Sequence, residues 1–296
     1  MNLKPFHTRQ FPAFINWLLC EAQLHEFPAK YRLYLVLRRY FTGRVIRHSI
    51  KGKAFYVPLE EWCFWLEKGP ERYYPQDVEP FIQLINTLSG DVLVIDCGAD
   101  IGTVSMMLAQ GTQNITQFVC IEPNQKAFEL LQANQAAISD KTYFINKAVS
   151  NFNGMADLHC NSTLTSDHEG HIEVNKDGDT EVITLDTLCE SLGLLNVKNV
   201  VLKIDVEGQE QAVFEGAKQL IQNADCCAVL LEIHPDVLER DKQSAECIFS
   251  SAENVANFAW TLPAENNQAI DRNKAFFSQF VRKQYDVMGI AQNIRS

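Results

Sequence analysis

A chain of 296 residues, 46% hydrophobic and 21% charged, has an ordinary globular composition and can bury a large core as one or two domains. No apolar run reaches the ~18 residues that a membrane span requires. A net charge of −11, without interleaved basic and aromatic residues, argues against nucleic acid as a partner.

The charge is unevenly spread. Residues 1–53 hold ten Lys/Arg against Glu21 and Glu26, which leaves the remainder strongly acidic. This basic segment is either a solvated face or the part that meets something anionic: a lipid surface, an acidic glycan or the acidic body of its own chain. Residues 11–20 are apolar, but Asn16 interrupts them and no small-residue cleavage site follows, so no secretory signal is expected. The nine cysteines show no paired metal spacing. They read as buried thiols in a reducing compartment, hence a cytoplasmic protein, with attachment to the membrane periphery as the second reading.

In chain order, residues 11–41 read as helical. Leu33, Val36, Leu37, Tyr40 and Phe41 form one stripe with Arg32, Arg38 and Arg39 off it. The stripe suits either a membrane surface or, more commonly, packing on the main domain. Segments 44–50 and 54–58 flank Lys51-Gly52-Lys53 as a hairpin, and 77–88 is a helix. Strand and helix then alternate: strand 92–96, helix 101–110, strand 117–121, helix 124–137 and strand 143–145. Residues 150–185 break the pattern, with a hairpin or irregular excursion near 155–160 and a polar loop over 161–180. Asp186 opens a helix to about residue 194. Strands 200–205 and 228–233 enclose helix 209–222. Helix 242–255 and strands near 257–262 and 275–282 close the chain.

The stretch 92–124 carries the most chemistry. A buried strand runs into Asp96-Cys97-Gly98-Ala99-Asp100-Ile101-Gly102, then a helix, then a second strand ending in Glu122. This is half of a nucleotide-binding α/β unit. A dinucleotide fold wants G-x-G-x-x-G so that a pyrophosphate sits on helix amides. Here only Gly98 and Gly102 stand, four apart, behind an acidic residue that repels phosphate. The pattern suits S-adenosylmethionine, which has a sulfonium, an ammonium and no phosphate. Asp96 and the Gly98 turn then face its methionine part, and Glu122 takes the ribose hydroxyls. A nicotinamide-dependent oxidoreductase is the rival enzyme, weakened by the missing middle glycine. A non-catalytic scaffold of the same fold is the third reading.

A second constellation repeats this logic. Strand 200–205 ends in Asp205, followed by Glu207 and Gly208, and strand 228–233 carries Glu232 with His234 two residues on. Ligands of open α/β sheets sit at the carboxyl ends of strands. Converging acids and an imidazole suit a general base for a hydroxyl, hard-metal ligands or a structural network. His159, Cys160, Asp167, His168, Glu169 and His171 lack zinc spacing and read as a polar loop or substrate rim.

Taken together, 92–102, Ile121-Glu122-Pro123-Asn124, Asn146-Lys147-Ala148-Val149-Ser150, Ile183-Thr184-Leu185-Asp186, Lys203-Ile204-Asp205-Val206-Glu207-Gly208-Gln209-Glu210 with Gly216-Ala217, and Glu232-Ile233-His234-Pro235 resemble the FkbM family of S-adenosylmethionine-dependent methyltransferases. The likeness covers roughly residues 72–235, and Lys203–Gly208 is its most specific part. It implies a Rossmann-like class I fold, a seven-stranded mostly parallel sheet with helices on both faces. It implies O-methylation of a small-molecule or glycan acceptor, often a sugar or glycolipid. By position, Asp96, Gly98, Asp100 and Gly102 would line the methionine side. Glu122 would hold the ribose, Pro123, Asn124 and Ala148 would border the adenine, and Asp205 would sit at the transferred methyl. Asp100 stands where the family more often has Asn. Asp205, Glu207 and His234 are the expected catalytic groups. No metal ligand is assigned, although a divalent metal is a second option for the acids. Residues 1–71 match less well and are expected to form a basic helical and hairpin extension facing substrate or partner, with 72–296 the methyltransferase domain.

Overall fold

Residues 6–160, 164–165 and 170–292 are described by a computed structural model. The N-terminal part holds α1 (Phe6–Arg9), α2 (Ala13–Leu24), α3 (Lys30–Phe41), the hairpin β1 (Val45–Ile50) and β2 (Lys53–Pro58), α4 (Cys63–Leu66) and α5 (Pro75–Thr87). The core opens with β3 (Val92–Cys97), α6 (Thr103–Gly111), β4 (Ile115–Ile121), α7 (Gln125–Ala133), α8 (Gln135–Ile138) and β5 (Thr142–Ile145). A side sheet follows from β6 (Ala148–Val149), β7 (Gly154–His159), β8 (His171–Val174) and β9 (Thr180–Ile183). The chain returns through α9 (Leu185–Ser191), β10 (Asn199–Ile204), α10 (Glu210–Gly216), α11 (Lys218–Gln222) and β11 (Cys226–Ile233). It ends with α12 (Pro235–Arg240), α13 (Ala245–Glu253), β12 (Ala259–Leu262), β13 (Gln268–Ala269), α14 (Phe276–Gln279) and β14 (Tyr285–Gln292).

The main sheet has the order β13-β12-β14-β11-β10-β3-β4-β5. Strands β5, β4, β3, β10 and β11 run parallel, and β14 is antiparallel to β11 and β12. The chain winds outward from β3 to β5, then restarts beside β3 with β10. Strand order therefore reverses between β3 and β10, and the crevice at their carboxyl ends is where such sheets bind ligands. Strands β3 and β10 are buried throughout, as double-sided parallel strands require. Leu93, Ile95 and Cys97 pack with α9, α10 and α13 on one face. Val92 and Val94 pack on the other with α5, α6 and apolar residues of the N-terminal segment, among them Leu19, Tyr34, Val45 and Phe55.

Several expectations change. The sheet has eight strands because the two-residue β13 extends the edge. The strand expected over 275–282 is α14 and a loop. Phe276 and Phe280 lie one helical turn apart and cluster with Tyr285, and the true last strand begins at Tyr285. Helix 11–41 breaks near Pro28, since the residue before proline disfavours helical backbone and Ala29 sits at φ 64°. The polar loop 161–180 carries β8. Of the Leu33/Val36/Leu37/Tyr40/Phe41 stripe, Leu37 packs against the core and Phe41 meets Phe11, while Leu33, Val36 and Tyr40 are 37%, 55% and 69% exposed. Among the described residues no helix is long and apolar enough to cross a membrane.

Candidate active site

The carboxyl ends of β3, β4, β10 and β11 open into one cavity of about 470 Å³, within the range of small-molecule sites. Gly98, Asp100, Glu122, Pro123, Asn124, Ala148, Asp205, Glu207 and His234 all line it. All but Ala148, which lies in β6 of the side sheet, follow four strand ends that the topology brings together.

Gly98 turns the chain at φ 75° with its amide on the Ile121 carbonyl. A Cβ there would lie 1.8 Å from the Asp205 carbonyl oxygen, so only glycine lets the β3 and β10 loops touch. Asp100 also has positive φ, 48°, which Asp and Asn tolerate better than most side chains. Its backbone N–H donates to Glu122 Oε2 at 2.9 Å, and that of Asn124 to Oε1 at 2.7 Å. Each carboxylate oxygen keeps a second lone pair. Glu122 is 7% exposed; burial, then the Asp100 charge, pushes its pKa up to about 8 against the two backbone bonds. Asn146 Nδ2 donates to the Glu122 and Pro123 carbonyls, and the Asn124 side chain caps α7.

Two predicted residues lie elsewhere. Asp96 is fully buried, two residues before Gly98 on β3, where it accepts from Ser105 Oγ at 2.6 Å. It supports the turn from beneath and does not line the cavity. Gly102 starts α6 at φ 87°, and a Cβ there would meet Ile138 and Leu131 within 2.8 Å. Its small size serves helix packing.

Lys203, which heads the most specific family motif, is a residue to which sequence reasoning gave no role. It pairs with Asp96 across β10 and β3, and its Nζ reaches Asp205 Oδ2 at 2.9 Å, the Gly98 carbonyl at 2.5 Å and Asp96 Oδ1 at 3.6 Å. Burial alone would lower its pKa, but Asp205 and Asp96 outweigh burial and hold it above the usual lysine value. A lysine inside the apolar run of residues 200–204 was the available signal, because a buried charge needs a partner.

Beside it runs a row of acids. Strand register sets Glu232 opposite Asp286, in step with Asp205. Like charges in such positions repel. Burial first, then Asp205 and Asp286, raises Glu232 well above the carboxylate range. Burial, then Asp77 and Asp205, brings Asp286 to about 7, and burial brings Asp77 to about 6. Burial and mutual repulsion therefore disfavour the charged forms along this row. Asp205, Glu207 and Glu232 each offer an oxygen within 4.8 Å of the others, close enough to hold a divalent cation. His234 Nδ1 is buried with no hydrogen-bond partner among the described residues.

The rest of the wall comes from residues to which sequence reading gave no site role: Trp62, Tyr73, Tyr74 and Asp77 before the core, and Tyr285 and Asp286 from β14. Cys160 and His171 join the rim, and His159 stacks on His171 at 5.4 Å. Asp167, His168 and Glu169 lie outside the described residues.

Residues 96–259 match the family model described as the methyltransferase FkbM domain. No curated protein matches the chain. Similar solved structures include the plantazolicin methyltransferase BpumL in complex with SAH, at 11% identity and TM-score 0.39, covering 94% of this chain and 95% of that one. The methyltransferase FkbM of Methylobacillus flagellatus KT aligns at 14% identity and TM-score 0.41, over 93% of this chain and 57% of its own. The magnesium protoporphyrin IX methyltransferase of Synechocystis PCC 6803 with bound SAM aligns at 14% and 0.39, over 74% and 79%. The family match spans more than half of the chain and both glycine-bearing strand ends, so the protein belongs to the FkbM methyltransferases, enzymes that draw their methyl group from S-adenosylmethionine.

Proposed function

We propose that the protein methylates a hydroxyl oxygen of a sugar, glycolipid or other small metabolite. The observation that carries this reading is the meeting of Glu122 and Asp205 at one cavity, on either side of a Gly98 turn that admits no side chain. S-adenosylmethionine, when bound, supplies an electrophilic methyl on a sulfonium. Glu122 has the lone pairs to accept both ribose hydroxyls. Pro123, Asn124 and Ala148 border the adenine, and Gly98 and Asp100 lie along the methionine part.

Asp205 takes the acceptor proton as the new bond forms, which a hydroxyl needs in order to act as a nucleophile. Glu207 and His234 orient the acceptor, and the ordered cavity supplies alignment. The acids work here without a metal: Lys203 Nζ already pairs with Asp205 Oδ2 at 2.9 Å, and burial beside Asp205 and Asp286 disfavours the charged form of Glu232. EDTA is accordingly expected to leave turnover unchanged. Activity lost on chelation and restored by Mg²⁺ would turn the trio into a metal centre.

Glu122→Ala is expected to weaken S-adenosylhomocysteine binding by about 10- to 100-fold, the loss of charged hydrogen bonds of ~1.5–3 kcal/mol. Ribose hydroxyls favour the ionised carboxylate, and below pH 8 the free side chain holds a proton. Binding then releases a proton, and affinity rises with pH up to about 8. Calorimetric titration of wild type, Glu122→Ala and Glu122→Gln across that range tests both points. An unchanged dissociation constant in the alanine variant removes the ribose assignment, and heat with NAD in place of the thioether revives the oxidoreductase.

A further inference from the structure

Two N-terminal helices turn their large apolar side chains outward. On α2, Leu19 and Gln23 are buried, while Phe14, Trp17 and Leu18 are 68%, 54% and 46% exposed. On α3, only Lys30 and Tyr34 are buried, while Tyr31, Val36 and Tyr40 are 58%, 55% and 69% exposed. The helices are tied together, since Lys30 Nζ donates to the Gln23 carbonyl at 2.9 Å and both pack on α4. Scattered exposed apolar residues need no explanation, but two neighbouring helices facing outward form a patch that marks an interaction surface. The apolar exposure continues along α4. Leu66 is 52% exposed, and Trp62, just before this helix, is 45% exposed and lines the mouth of the cavity.

Charge identifies the occupant. The segment bearing this patch holds ten Lys/Arg and two acidic residues, in a protein whose net charge is −11. Arg32, Arg39, Arg47, Lys51 and Lys53 are exposed, while Glu26 is paired with Lys30 and Glu21 lies 3.1 Å from His25 Nε2. Two copies meeting through this face would set like charge on like. A sheet of anionic headgroups over an apolar interior complements both features at once.

We propose that α2 and α3 dock the protein on an anionic lipid bilayer, their aromatic and aliphatic side chains entering the headgroup region and the arginines meeting lipid phosphates. The Trp62 rim of the cavity then stands beside the membrane surface. The docking is independent of which acceptor is methylated.

The test is co-sedimentation of the full chain with vesicles of phosphatidylcholine alone, or of phosphatidylcholine with about 30% phosphatidylglycerol, at low and high salt. The expected result is binding at least about tenfold tighter to the anionic vesicles, weakened by salt. Phe14→Ser/Trp17→Ser should lower binding to both, and Arg32→Glu/Arg39→Glu should abolish the anionic preference. All four side chains are exposed, so the variants should keep the wild-type melting temperature and S-adenosylhomocysteine affinity. Absent or equal binding to the two vesicle types overturns the proposal. So does light scattering that finds a dimer dissolved by Trp17→Ser in a protein that ignores vesicles, which assigns the patch to self-association.

Discussion

Asp205→Asn is expected to lower kcat by about 10²- to 10⁴-fold, the range supplied by general-base catalysis. The S-adenosylhomocysteine dissociation constant should move little. Asn keeps the shape of Asp and an oxygen for Lys203, but it cannot accept a proton. Of the two carboxylates that Lys203 meets, Asp205 is the one that reaches water and the cavity, its side chain 33% exposed against 1% for Asp96. Its neighbours hold it in place: Lys203 Nζ stands 2.9 Å from Oδ2, and Glu232 of β11, whose charged form burial disfavours, offers an oxygen within 4.8 Å. Asp205→Ala adds a second loss, because Lys203 then faces the cavity without that partner. Single-turnover rates set beside calorimetric binding separate the outcomes. If the asparagine variant loses cofactor binding along with turnover, Asp205 is a cofactor ligand; if it keeps its rate, the base lies elsewhere in the acidic row.

Much of this centre was legible because parallel strands buried on both faces read as unbroken apolar runs, and their ends locate the crevice. Glu122, Asp205 and His234 each follow such a run. Alternation along the strand misplaces Asp96, which shares the Lys203 row beneath the Gly98 turn. Gly102 has the left-handed backbone of a ligand-facing glycine, but two aliphatic side chains from α7 and α8 occupy the space beside it. The aromatic wall from residues 62–74 and the Asp286 carboxyl were beyond local reading, since they reach the site only through tertiary packing. The β14 strand alternates buried Tyr285, Val287, Gly289 and Ala291 with half-buried residues, but the phenylalanine-rich stretch just before it carried the stronger apolar signal. Nothing local to β14 reveals that it pairs with β11, and that pairing is what completes the acidic row.

Lys203→Met is expected to cost about 3–5 kcal/mol of stability, the usual penalty for removing one partner of a buried ion pair. On the order of 10 °C in Tm should go with it. The methionine fills similar volume, so the loss is electrostatic. Asp96 is left with Ser105 as its side-chain partner among apolar neighbours, and the Gly98 carbonyl loses its donor. The cradle loosens at the point where the β3 and β10 loops touch, so S-adenosylhomocysteine affinity should fall as well. A second change separates the two effects. Asp96→Asn in the Lys203→Met background removes the stranded charge and should restore much of the melting temperature, while the Gly98 carbonyl stays without its lysine and the affinity stays low. Urea denaturation and calorimetry on both variants read this directly. A destabilisation below about 1 kcal/mol for Lys203→Met would mean that Asp96 carries no charge in the native protein. The lysine would then be a partner of Asp205 alone.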